Sequence, residues 1–547
     1  MVGKVLSAMS KEIRGLHEAA YLLAIFTFVG QILSLVRDRT FAHFFGAGEL
    51  LDAYFAAFRI PDLTFAFLTL FVSSFALIPL LEKRGGVQSS DTARLFGSIF
   101  AVFGVVSIFA STILYFVLPV LVPVIFPVFA SSTQAVVVEL SRVMLLQPVL
   151  LGLSLIVGSI VQATRKFFIY AIAPVVYNLG IIFGIVVLFP KFGTVGLAWG
   201  VVIGALLHLC IQLIPLVYTG NFVVPRVSRQ WLQDIREVVI LSLPRSLAVG
   251  VHQIVLFSFA VVGALSVAGS ASVLMFGFNL QSVPLSIIGV SYASALFPSL
   301  AALYAKGDRE LFAKEVWAAV RHLCLWIFLA VSLMIVLRAH IVRVILGTGA
   351  FTWSDTRLTA AVLAGFVISL VAQSLILIFS RAYYAAGRQR TPIAINVGAA
   401  LFASVLSYGA FLWARGEHVL RFFVEDLFRV GGIPGTEVVF VALAYSLVML
   451  VAAVIFALLY ARDFGFEKRV TKSLLFSFYA SVTAGAATYA TLQIFGPLLP
   501  TDTFLGIFTQ GALSGLVGVF VWGGTLLLVR SQELKEVINV VRRLLTA

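Results

Sequence analysis

Apolar residues run along this chain in stretches of 18 or more, separated by short polar segments. Wound as helix, such a run crosses the ~30 Å hydrocarbon layer of a bilayer. A strand-built barrel would instead alternate apolar and polar positions in segments of about ten residues. The pattern predicts helical spans near 19–36, 52–80, 95–118, 138–162, 168–189, 195–218, 238–263, 272–297, 316–337, 358–384, 392–414, 437–460, 473–495 and 504–529. After span 3, Pro119, Pro123 and Pro127 crowd an apolar run, and proline at that density predicts an interfacial loop. Leu420 to Phe428 is amphipathic and reads as a surface segment. From Glu533 to Leu545, Leu534, Val537, Ile538, Val541 and Leu544 share one face while Lys535, Arg542 and Arg543 lie off it. That spacing predicts a short helix lying on the inner leaflet.

Composition sharpens this reading. Of 547 residues, 61% are hydrophobic and 11% charged, with a mean hydropathy of +1.07. Soluble domains hold about 45–50% apolar and about 25% charged residues, so a soluble globular enzyme and a disordered chain are both excluded. The expected fold is an all-α polytopic membrane protein of about 14 transmembrane helices. The net charge of +14 follows from topology. With the N-terminus and every second loop on one side, that side collects about 24 Lys and Arg, against about nine on the other. Lys4, Lys11 and Arg14 lead in, and Arg530, Lys535, Arg542 and Arg543 close the count. The asymmetry places both termini in the cytoplasm. No small-residue cleavage site follows the first apolar run, which reads as a retained helix.

A faint repeat links positions about 220 residues apart. Phe75-Ala76-Leu77-Ile78-Pro79 recurs as Ser294-Ala295-Leu296-Phe297-Pro298. Ala163-Thr164-Arg165 with Pro174 and Asn178 recurs as Ala386-Gly387-Arg388 with Pro392 and Asn396. Both matches join span n to span n+6, which predicts two parallel six-helix lobes, residues 1–218 and 219–461, as in transporters. Spans 13 and 14, within 462–530, and the helix in 531–547 stand outside the repeat.

Nothing points to catalysis or to an ATPase: there is no phosphate-binding glycine loop, no HExxH and no GxSxG. The seven histidines lack metal-ligand spacing, and Cys210 and Cys324 both lie in apolar runs. Ionisable residues inside spans are costly and so mark function. Span 2 carries Asp52, Arg59 and Asp62 around Pro61, reading either as a polar stripe on a cavity or as a helix cap with a structural ion pair. Span 7 carries Arg245 and His252, placed to line the same cavity or, for Arg245, to snorkel to headgroups. Arg37-Asp38-Arg39 and the glycines Gly46 and Gly48 fall between spans 1 and 2, where they suit a mobile hinge or an ordinary loop. A cavity of net positive charge suits an anionic substrate.

Several strings resemble the MviN/MurJ family of lipid II flippases, within the wider superfamily of multidrug and polysaccharide exporters. They are Leu35-Val36-Arg37-Asp38, Phe44-Phe45-Gly46-Ala47-Gly48, Asp52-Ala53-Tyr54-Phe55-Ala56-Ala57-Phe58-Arg59-Ile60-Pro61, Gln162-Ala163-Thr164-Arg165-Lys166-Phe167 and Ser380-Arg381-Ala382-Tyr383-Tyr384-Ala385-Ala386-Gly387. The resemblance implies alternating access between two lobes and a cavity lined by spans 1, 2, 7 and 8, with Arg37 and Asp52 at positions the family uses. It implies a lipid-tail groove on spans 13 and 14. The implied substrate is a pyrophosphate-linked peptidoglycan precursor moved from the inner to the outer leaflet of the bacterial inner membrane. The expected partners are this anionic lipid and the surrounding bilayer, with no nucleic acid. A monomer is expected, without cofactor, with a membrane potential or an ion gradient as the driving force. The chain departs from the family where basic residues are usual: Gln31, Phe65, Ala66 and Asn279 stand there instead. Either Arg59, Arg245 and His252 rebuild the positive cavity, or the substrate is another lipid-linked oligosaccharide or amphiphile. A non-transporting scaffold is the third reading.

Overall fold

The computed structural model describes residues 16–546 except 70, 71, 73, 88, 219, 221–229, 417, 501 and 502, and describes no side chain at 16, 17, 19–21, 74–76, 215, 243–249, 540, 541 or 543–546. The basic lead-in Lys4, Lys11 and Arg14 and the side chain of Arg245 therefore lie outside the described residues. Every regular element among the described residues is helical. Contacts divide the chain into two units, Met1–Ser272 and Val273–Ala547.

The first unit contains α1 (Leu16–Phe45), α2 (Glu49–Thr69), α3 (Ser74–Lys83), α4 (Ser90–Ile125), α5 (Ser131–Ala163), α6 (Phe167–Phe192), α7 (Thr194–Tyr218) and α8 (Trp231–Ala264). Helix α9 (Ser270–Lys306) opens at the end of this unit. The second unit continues with α10 (Arg309–Ile345), α11 (Trp353–Ala385), α12 (Arg390–Ala414), α13 (Val419–Phe428), α14 (Glu437–Phe464), α15 (Arg469–Phe495), α16 (Phe504–Leu528) and α17 (Gln532–Thr546). Ten of these helices are long and apolar enough to cross a membrane. Helices α1, α8 and α15, and α2 with α3, occupy the remaining predicted span positions. Helix α2 is marked out by its ionisable residues Glu49, Asp52, Arg59 and Asp62.

The repeat is visible in the helix series. Helices α4 and α10 run 36 and 37 residues, and α5 and α11 both run 33. The turns that follow α5 and α11 are built alike. Arg165 and Gly387 both take positive φ, 55° and 71°. Lys166 N donates to Val161 O at 3.0 Å, and Arg388 N donates to Tyr383 O at 2.9 Å. This is the six-to-one closure of a helix C-terminus, which asks for a left-handed residue at that point. Asn178 and Asn396 each donate to the carbonyl of a proline four residues back, at 3.0 and 2.7 Å.

Two sequence expectations are corrected. Helix α4 continues through Pro119 and Pro123 to Ile125, where a loop was expected. Pro119 has no N–H for the carbonyl of Tyr115, and Arg142 Nε of α5 donates to that carbonyl at 3.1 Å. Proline persists in a membrane helix when a neighbour re-satisfies the freed acceptor. Likewise α1 runs on to Phe45, so Arg37 and Asp38 sit within a helix rather than in a connection.

Helices α6 and α7 meet along glycine. A Cβ on Gly180 would stand 2.3 Å from Gly204 Cα, and one on Gly200 would stand 2.5 Å from Gly184 Cα. Small residues spaced by four let membrane helices bring their backbones together. At Gly398 of α12, by contrast, an added Cβ meets nothing within 4 Å. Gly200→Ala is expected to lower the thermal midpoint of the detergent-solubilised protein, at a cost of about 1–3 kcal/mol. Gly398→Ala should leave it unchanged or slightly raised, since alanine is the better helix former. Equal midpoints for the two variants would refute the close seam.

Candidate functional site

The polar interior of the first unit is built on α2. Its entry is tight: Gly46 has φ 62° and donates its N–H to Ala42 O at 2.9 Å. The following Ala47 carbonyl presses on Gly269, where a Cβ would come within 2.2 Å and φ is +92°. Only glycine fits such a position. One turn further on, Asp52 is 1% exposed. Its Oδ2 accepts from Gly269 N at 2.7 Å, and its Oδ1 accepts from Ser272 N at 2.7 Å and Ser272 Oγ at 2.6 Å. Asp52 thus caps the first turn of α9, whose amides have no intrahelical acceptor. Its negative charge also faces the positive end of that helix.

Two turns along α2, the buried Arg59 meets the half-buried Asp62. Arg59 Nη1 stands 3.3 Å from Asp62 Oδ2, and Gln147 Nε2 of α5 donates to Asp62 Oδ1 at 3.2 Å. Pro61 lies between them and leaves the Ala57 carbonyl without its helical donor. Ser141 Oγ of α5 donates to that carbonyl at 3.2 Å. Adjacent residues of α5, Ser141 and Arg142, thus supply the donors that Pro61 in α2 and Pro119 in α4 remove. Among the described residues, the buried Arg59 Nε has no acceptor and the buried Tyr177 hydroxyl has no partner.

Arg37 is held from three directions. It donates through Nη1 to Asn178 Oδ1 of α6 at 3.0 Å and through Nη2 to Ser34 Oγ at 3.1 Å. Its Nε and Nη2 donate to Asp38 Oδ1 at 3.0 and 2.8 Å. The charge of Arg59 acts on both Arg37 and His252. The structure therefore brings Arg37, Arg59, Asp62 and His252 into one electrostatic neighbourhood and sets Asp52 apart as a helix cap. His252 is exposed on α8. Gln31 on α1 and Phe65 on α2 are half-buried, and Ala66 is buried. Asn279 is half-buried on the stretch of α9 that belongs to the second unit.

Sequence reasoning passed over Gln147, Asn178 and Tyr177 as site residues. Asn178 carried a signal, its place in the repeat. A neutral Gln inside an apolar run carried none. If Asp52 caps α9, Asp52→Ala should cost about 3 kcal/mol or more, since hydrogen bonds to a charged group are worth about 1.5–3 kcal/mol each. Ser272→Ala should cost only about 1 kcal/mol, because both backbone donors remain. Thermal unfolding of the two variants in detergent checks this ranking, and equal losses would contradict it.

Comparisons with known proteins identify the family. Residues 41–508 match the family model described as lipid II flippase MurJ. The chain is 24% identical over 387 residues to a probable lipid II flippase MurJ of Rickettsia prowazekii (strain Madrid E), covering 70% of this chain and 76% of that protein. It is 25% identical over 413 residues to the lipid II flippase MurJ of Burkholderia cenocepacia, covering 72% of this chain and 78% of that one. In fold it resembles a lipid II flippase MurJ solved in an inward closed conformation, with a TM-score of 0.71 at 21% identity over 93% of this chain and all of that chain. A multidrug resistance MATE family transporter in an inward-facing conformation follows, with a TM-score of 0.62 at 16% identity over 81% of this chain and 95% of that one. A match over so much of the sequence makes this multi-pass membrane protein a member of the lipid II flippase MurJ family.

Proposed function

We propose that this chain flips lipid II, the lipid-linked peptidoglycan precursor, from the inner to the outer leaflet of the bacterial inner membrane. It acts as a transporter and not as an enzyme. Both termini face the cytoplasm in this reading, as the charge asymmetry supports. The observation that carries the proposal is Arg59: a buried guanidinium with one long ion pair to Asp62 and an Nε that no group among the described residues accepts from. Arginine presents five donors in a rigid fork that matches phosphate. In the empty protein Asp62 keeps Arg59 neutralised at low cost. An arriving pyrophosphate takes over the guanidinium, and Gln147 retains Asp62. Arg37 adds its positive charge to the field around that point. This arrangement compensates for Gln31, which carries no charge where the family has a basic residue.

The chain's part is to exchange one partner of Arg59 for another while the two lobes alternate in access. No cofactor enters, and a membrane potential or an ion gradient drives the cycle. Proteoliposomes loaded with lipid II test the reading. Arg59→Ala should slow appearance of lipid II in the opposite leaflet by roughly 10- to 100-fold, the loss of one charged hydrogen-bonding group. Arg59→Lys should retain part of the rate, since it keeps the charge and loses the fork. Wild-type rates in Arg59→Ala would remove Arg59 from the mechanism.

A further inference from the structure

The second unit holds a cavity of about 990 Å³ among α10, α11, α15, α16 and the end of α13. Its walls include Arg338, Arg357, Arg429, His340, Gln493 and Gln510, and among the described residues no Asp or Glu lines it. Three arginines lining one space, with no carboxylate among the described residues there, leave it with a net positive charge. Arg338 and Arg357 hydrogen-bond to carbonyls. Arg338 Nη1 donates to Ile335 O of its own helix at 2.8 Å. Arg357 donates to the Arg429 carbonyl through Nε at 2.9 Å and again through Nη2. The nearby Asp355 is committed to capping α11, where it accepts from Thr352 N at 2.8 Å. His340 Nε2 pairs with Gln510 Oε1 at 3.0 Å, while His340 Nδ1 is buried with no partner.

The repeat supplies an internal control. The first unit has a cavity of about 830 Å³ at the equivalent place, on α4 and α5. Counted from the starts of α4 and α10, Pro119 matches Arg338. Counted from the starts of α5 and α11, Ala135 matches Arg357. The first-unit cavity is balanced by Glu139 and Arg142. The same scaffold is therefore built without arginine at these two positions, and folding alone does not account for the arginines of the second unit.

On the other side of His340 lies an apolar groove of about 520 Å³ between α10 and α16, lined by Leu333, Leu337, Ile341, Phe508 and Leu516 among others. His340 belongs to the walls of both spaces. A basic chamber joined at one residue to an apolar groove has the shape of an amphiphile with an anionic head. We propose that this cavity binds the phosphate group of a membrane lipid, with Arg338, Arg357 and Arg429 on the phosphate and the adjoining groove on the acyl chain. It lies at the end of the helices that the charge count assigns to the outer side, so the lipid is one of the outer leaflet. The proposal concerns a place apart from Arg59 and is read by binding, so it stands or falls separately from lipid II flipping.

Native mass spectrometry of the full chain, released from detergent with added lipid, tests it. Phosphatidic acid should be retained and diacylglycerol, which lacks only the phosphate, should not. Arg338→Gln and Arg357→Gln should each weaken retention of phosphatidic acid at least tenfold, and Arg338→Lys should weaken it less. Arg338 bonds only a carbonyl of its own helix turn, so Arg338→Gln should keep the wild-type thermal midpoint without lipid, which checks its fold. Inorganic pyrophosphate, which carries no chain, should compete only weakly. Equal retention of phosphatidic acid by wild type and Arg338→Gln would overturn the proposal, as would equal retention of diacylglycerol. Pyrophosphate binding as tight as that of phosphatidic acid would overturn the lipid assignment in favour of a free anion.

Discussion

In a bundle surrounded by hydrocarbon, each charge and each unpaired backbone group must be answered by the protein itself, because no water stands ready. That constraint organises the first unit. Asp52 is answered by three donors at the start of α9. Arg37 is answered by Asp38, Ser34 and Asn178. The carbonyls freed by Pro61 and Pro119 are answered by Ser141 and Arg142, neighbours on α5. Arg59 departs from this pattern: one long contact to Asp62 and a buried Nε without an acceptor among the described residues. A group left under-satisfied in such a setting is where an incoming ligand gains most, since the desolvation cost has already been met in folding.

The same logic separates two kinds of polar residue. Those with full sets of partners, Asp52 above all, hold the scaffold in place. Those with spare valence are positioned by the scaffold to meet a substrate. Prolines inside α2 and α4 belong to the first kind only because α5 repairs them, and the seam of glycines between α6 and α7 sets the spacing of two other helices. The repeat then lets one architecture carry different chemistry in its two copies: a charge-balanced cavity on α4 and α5, and an arginine-rich one on α10 and α11.

Much of this was legible in the sequence because it is local. Apolar run length located the helices, and heptad-like spacing located the C-terminal α17. The repeat pointed to the matched turns at Arg165 and Gly387, whose closures depend on neighbours in the chain. What was not legible depends on partners far away in sequence. The continuation of α4 past Pro119 rests on Arg142, 27 residues beyond the Tyr115 carbonyl it satisfies. The role of Asp52 as a cap rests on Gly269 and Ser272, 217 and 220 residues away. A stripe of Asp52, Arg59 and Asp62 read from helical spacing shows which residues share a face, not which of them the fold has already spent.

The central claim, that a chain lacking charge at Gln31 and Asn279 still moves lipid II, is tested most directly by complementation. The chain is expressed in bacteria depleted of their own lipid II flippase, and lipid II is followed at the outer leaflet while membrane insertion of the chain is verified. Restored lipid II at the outer leaflet and restored growth are the expected result. An inserted, folded chain that leaves lipid II in the inner leaflet would contradict the account and point to a different lipid-linked substrate.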